Sequence, residues 1–78
     1  MILYMIEVFS TNISTEKQAD KLLDQLQKRH PAYHINFDLE DCDSILRVES
    51  YNGQIDVRAV LKTVKNLGLS ATVLPDKT

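Results

Sequence analysis

The sequence predicts an α+β sandwich in the order β-α-β-β-α-β, with two helices on one face of a four-stranded antiparallel sheet. Three observations predict it. Two segments, about 15–29 and 57–67, carry apolar residues at helical spacing. Four others, 2–9, 33–39, 44–50 and 69–73, are rich in β-branched and aromatic types or alternate with period two. Short polar turns separate them. At 78 residues the expectation is one domain over 1–78, because a chain this small has too little buried surface to divide between two cores.

The first strand, Ile2-Leu-Tyr-Met-Ile-Glu-Val-Phe9, is expected to turn Tyr4, Ile6 and Val8 toward the core and Leu3, Met5 and Glu7 outward. Ser14 is the expected N-cap of the first helix, with Glu16 favourably placed against its dipole. Ala19, Leu22, Leu23 and Leu26 form that helix's buried stripe, and Pro31 ends it after His30. Tyr33, Ile35, Phe37 and Leu39 share one face of the second strand, as do Leu46 and Val48 on the third, and Glu40-Asp-Cys-Asp43 makes the turn between them.

Tyr51-Asn-Gly-Gln54 is a further turn signal, after which Asp56 caps the second helix, with Ile55 and Val60 spaced as a hydrophobic staple. Val57, Val60, Leu61, Val64 and Leu67 line its inner face. Gly68 stands where a left-handed residue closes a helix. Leu69, Ala71 and Val73 then alternate in a last strand, Pro75 stops it, and 75–78 is expected to fray.

This order is that of the ferredoxin-like sandwich. With right-handed crossovers, Asn12–Thr15, Glu40–Asp43 and Lys65–Gly68 gather at one end of the molecule. At that end the chain resembles the heavy-metal-associated family, the small copper and zinc chaperones and the N-terminal modules of metal-pumping ATPases. The helix stripe Ala19, Leu22 and Leu23 fits the family pattern, and Lys65-Asn-Leu-Gly-Leu69 resembles the ending of its second helix. Where the family reads Gly-Met-Thr-Cys-x-x-Cys, this chain reads Phe9-Ser-Thr-Asn-Ile-Ser-Thr15, so Thr11 alone matches and Asn12 and Thr15 stand in the cysteine positions. Neither an amide nor a hydroxyl replaces a thiolate for Cu(I) or Zn(II), so the family's metal transfer does not carry over.

Composition narrows the function further. A net charge of −2 supplies no general attraction to nucleic acid or to anionic membranes. The single cysteine excludes an intramolecular disulfide and fits a reducing, cytoplasmic compartment. The apolar start of the chain lacks a basic leader and is too short to span a bilayer, so no membrane insertion is expected.

Candidate sites are few. Cys42 is the one soft ligand, flanked by Asp41 and Asp43, whose charges disfavour its thiolate. Asp38, Glu40, Asp41 and Asp43 form an acidic turn, but counted from Asp38 the sixth position is Asp43 rather than the glycine a calcium loop requires. His30 and His34 lack a third ligand, and Pro31 prevents a helical pair. With that strand parity, the outward sheet face of Met5, Ile45 and Leu74 with Glu7, Arg47 and Glu49 carries no aromatic platform for RNA bases. No nucleophile has a histidine base near it, so no enzyme is expected and no cofactor is implied.

The expectation is therefore a non-catalytic interaction or regulatory domain that resembles the metal family without its ligands. Its contact surface is expected at Asn12, Ile13, Ser14, Thr15, Glu40, Asp41, Asp43 and Lys65, facing another protein with a basic surface. The alternative is a weak or dimer-dependent copper or zinc carrier using Cys42 with Asp41 or Asp43. A third reading is a ligand-sensing dimer, and a homodimer is compatible with each of the three.

Overall fold

The computed structural model describes residues 4–39 and 44–74. The element order is β1 (Met5–Thr11), α1 (Glu16–Arg29), β2 (His34–Asp38), β3 (Ile45–Ser50), α2 (Val57–Asn66) and β4 (Ala71–Val73). The strands form one antiparallel sheet in the order β2-β3-β1-β4, so the expected ferredoxin-like α+β arrangement is the one observed. Among the described residues no helix is long and apolar enough to cross a membrane.

The helix boundaries follow from local chemistry. Thr15, not Ser14, caps α1, its hydroxyl accepting from the Gln18 N–H at 3.1 Å. Gln18 reaches back to accept from the Ser14 N–H at 2.9 Å, a capping box displaced by one residue. Asp56 caps α2 by accepting from the Ala59 N–H, as its position implied. Beyond α2, the Gly68 N–H bonds the Lys65 carbonyl and the Leu69 N–H bonds the Val64 carbonyl. This pair is the Schellman closure, and it requires the positive φ of 78° that Gly68 supplies.

Phe9, Ile13, Ala19, Leu22, Leu26, Leu46, Val48, Val60 and Val64 form the buried core. Both helices contribute to it, and so does one face of the sheet. Register identifies that face: Phe9 lies opposite Leu46 and Val73, Glu7 opposite Val48, and Met5 opposite Ser50. Residues directly opposite in an antiparallel pair share a face, so Met5, Glu7 and Phe9 turn toward the helices.

The expected parity of β1 is thereby reversed. Ile6 and Val8 pair with Glu49 and Arg47 on the open face, and alternation puts Tyr4 there too. Tyr4 is 50% exposed and Ile6 41%. The cause is an apolar run that fills both faces, so alternation cannot choose between them and burying the Phe9 ring decides. Glu7 is tolerated inward because β4 ends opposite Phe9, leaving that stretch of β1 at the margin, where Glu7 is half-buried.

The parity has a thermodynamic signature. Phe9→Ala is expected to cost about 3–5 kcal/mol, whereas Ile6→Ala costs below about 1 kcal/mol. Urea denaturation of dilute protein measures both, and equal costs would return Ile6 to the core.

Candidate functional site

The loop after β1, the start of β3 and the start of β4 meet at one end. Three strands of the chain are tied together there by side chains as much as by backbone. The Ser44 carbonyl accepts from the Thr11 N–H at 3.2 Å and from the Thr11 hydroxyl at 2.8 Å. The Ser44 hydroxyl donates to the Ile13 carbonyl at 2.6 Å, and the Ile13 N–H donates to the Thr11 hydroxyl at 3.3 Å. On the other side, Asn12 and Ser70 exchange bonds: the Asn12 N–H donates to the Ser70 carbonyl at 3.2 Å, and the Ser70 N–H to the Asn12 side-chain oxygen at 2.9 Å.

Asn12 and Thr15 thus have structural work. Asn12 Oδ1 holds β4, and Thr15 Oγ1 caps α1. A hydroxyl or amide oxygen accepting a backbone N–H is also a poor ligand for a soft cation. The bridge includes one strained residue, Ser44, whose φ of 50° is unusual for a side chain other than glycine.

Of the expected contact residues, Asn12, Ser14, Thr15 and Lys65 are exposed. Ile13 is not: at 2% exposure it belongs to the core, and it is withdrawn from the surface. Its apolar side chain anchors the loop from within, a role the sequence offered no periodic signal for because it sits between elements. Glu40, Asp41, Cys42 and Asp43 lie outside the described residues. Among the described residues, no group of three or more His, Cys, Asp or Glu comes together. His30 and His34 sit at the far end, His30 capping α1 and stacked on Tyr33 at 4.8 Å.

Next to the tied loop, α1 and β2 flank an open cleft of about 450 Å³. Ala19, Leu23, Phe37 and Leu39 give it an apolar floor, and Glu16 and Asp20 give it an acidic rim; Asp38 borders it at the edge of β2, with its register opposite Ile45 placing its side chain on the open face. Sequence reading placed the acidic patch on the turn alone. The missed signal was Glu16 and Asp20 at i, i+4, which share one side of α1 and point where Asp38 ends β2.

The open sheet face carries a second feature that sequence reading denied. Tyr4 and Tyr51 lie with ring centroids 5.1 Å apart, and His34 meets Tyr51 edge-on at 5.2 Å. An aromatic row therefore crosses β1, β3 and β2, and it went unseen because the parity of β1 was reversed. Glu49 lies beside it, with a long 3.5 Å contact from the Tyr51 hydroxyl. Desolvation, then the Glu49 and Tyr51 charges, raise the Tyr4 pKa above its ordinary value, so Tyr4 stays a neutral hydroxyl at physiological pH.

Comparison with family models, with curated proteins and with solved structures found no match.

The Ser44 bridge predicts an inverted pair of mutants. Ser44→Ala loses a hydrogen bond and keeps the left-handed φ, costing about 1–2 kcal/mol, whereas Ser44→Gly loses the same bond but relieves about 1 kcal/mol of backbone strain. Thermal unfolding should rank wild type above Gly and Gly above Ala. An alanine variant as stable as wild type would show that the bridge contributes nothing.

Proposed function

We propose that this chain is a non-catalytic binding domain that docks a protein partner at the end holding the acidic cleft between α1 and β2. The observation that carries the reading is the cleft itself, an apolar floor of Leu23, Phe37 and Leu39 beside a rim of Glu16 and Asp20. An apolar side chain flanked by Lys or Arg is the partner chemistry that satisfies both parts at once, the apolar group supplying affinity and the cations steering and orientation. Exposed Asn12, Ser14 and Thr15 border the same end, and the acidic turn 40–43 extends its charge in sequence.

The likeness of the helix stripe and the Gly68-Leu69 ending to heavy-metal-associated domains supports a shared docking end, since the resemblance implies that those domains meet their transporters there. The internal bonding of Asn12 and Thr15 supports docking over metal transfer. The single cysteine supports a cytoplasmic setting, and the charge balance supports a protein rather than a nucleic-acid or membrane partner.

Two measurements test the proposal. A synthetic peptide with a Leu anchor between Lys residues should bind weakly and lose affinity as salt rises. Glu16→Lys and Asp20→Lys should each reduce that binding several-fold, while Asp24→Lys, which makes the same charge change at an exposed residue paired to Lys28, should have little effect. Equal responses from all three would reduce the effect to net charge and sink the cleft as a site. Titration of the reduced protein with Cu(I) and Zn(II) against a competing chelator is expected to leave the metal with the chelator. Stoichiometric binding abolished by Cys42→Ser would replace the docking reading with the metal-carrier one.

A further inference from the structure

The open face of the sheet is a different surface from the cleft and has its own pattern. Its accessible apolar residues are Ile6 and Val8 on β1 and Leu74 just past β4, none of them part of the core cluster, while Ile45 of β3 on the same face is buried at 5% exposure. Tyr4 and Tyr51 continue the strip at one end. The exposed large apolar residues of the described chain, Tyr4, Met5, Ile6 and Tyr51, all lie at that end, three of them on this face. A single exposed side chain is ordinary, but a contiguous strip of exposed and half-buried apolar side chains outside the core cluster marks a contact surface.

Charge identifies the partner. Arg47 and Glu49 are both half-buried on the open face of β3, two positions apart, and among the described residues neither is in an ion pair. Register places Arg47 level with Val8 and Asn36, and Glu49 level with Ile6 and His34. A two-fold axis lying across the strands at the height of Val48 would exchange these two rows. Arg47 of each copy then meets Glu49 of the other, and Ile6 of each meets Val8 of the other. The face is complementary to itself under one operation, which is the requirement for an isologous dimer.

We infer that this chain self-associates through its open sheet face, two copies packing sheet against sheet with reciprocal Arg47–Glu49 pairs. Face-to-face sheets separated by about 10 Å with nearly aligned strands are a standard packing, and that distance suits interdigitated Ile and Val with Arg and Glu reaching across. Strands about 4.8 Å apart make the face roughly 400 Å² in plan. A standard stable interface buries about 800 Å² per partner, so the dimer is weak and concentration-dependent. The ion pairs contribute register more than affinity, because a copy docked out of register would leave two charges desolvated and unpaired. A single-stranded nucleic acid stacked on the aromatic row is the other occupant such a face could take, and Glu49 beside those rings with Asp38 on the same face opposes its phosphates.

Sedimentation of the full chain at concentrations up to about 1 mM tests the inference over the range where so small an interface would associate. Average mass should rise from monomer toward dimer. Arg47→Glu and Glu49→Arg should each hold the protein at the monomer mass, since each sets like charges opposite one another, and the double swap Arg47→Glu/Glu49→Arg should restore association. Ile6→Lys, at an exposed position, should abolish it without touching the ion pairs, and circular dichroism checks that every variant is folded. A mass that stays monomeric in the wild type, or single reversals that associate as wild type does, would overturn the inference. So would binding of an oligouridylate strand that quenches tyrosine fluorescence and is lost in Tyr4→Ala and Tyr51→Ala.

Discussion

The pairing of β1 with β3 is the constraint on which the rest of this structure depends. β1 is central, with β3 on one side and β4 on the other, and Phe9 is the residue at which both pairings meet the core: it lies opposite Leu46 and Val73 and is fully buried. A shift of one residue in that register would turn Phe9 outward and bring Ile6 and Val8 inward, moving every side chain of the strand to the other face. The helices could not compensate, because the stripes of α1 and α2 both close on the Phe9, Leu46 and Val48 layer. Two properties follow from this choice of face: which residues make the core, and which apolar residues are left outside it.

The tied end is the second consequence. Once β1 runs to Thr11 at the centre of the sheet, its exit lies between the starts of β3 and β4, and Thr11, Asn12 and Ser44 satisfy backbone groups that a short loop would otherwise leave unpaired. Ile13 fills the space beneath. The polar side chains at this end bond neighbouring backbone, Asn12 and Thr15 as acceptors, Ser44 as a donor and Thr11 as both.

The two surfaces divide the molecule. The cleft lies on the layer between α1 and the edge strand β2, with carboxylates around an apolar floor. The open face lies on the other side of the sheet, with Arg47 and Glu49 among Ile6, Val8 and the tyrosines. A copy seated on the open face would leave the cleft accessible, so self-association and partner docking are compatible within one small domain. Linking two clefts in this way would raise the affinity for a partner that carries two basic segments, through effective concentration alone.

Element type and order were legible in the sequence because each rests on near-neighbour chemistry. The α1 stripe repeats at 3.6 residues, Asp56 and Gly68 occupy helix ends for reasons of local hydrogen bonding and backbone freedom, and β2 and β3 alternate cleanly. Thr15 was misplaced by one residue because Ser14 and Thr15 offer the same hydroxyl. Three features were decided only by tertiary structure. The face of β1 is one, since a strand apolar on both sides carries no periodic signal and the volume of Phe9 had to compete for the core. The cleft is another, because Glu16 and Asp20 come beside Phe37 and Leu39 only once α1 packs against β2. The aromatic row is the third, since Tyr4, Tyr51 and His34 are far apart in the chain and are brought together by strand register, a long-range property that no local pattern encodes.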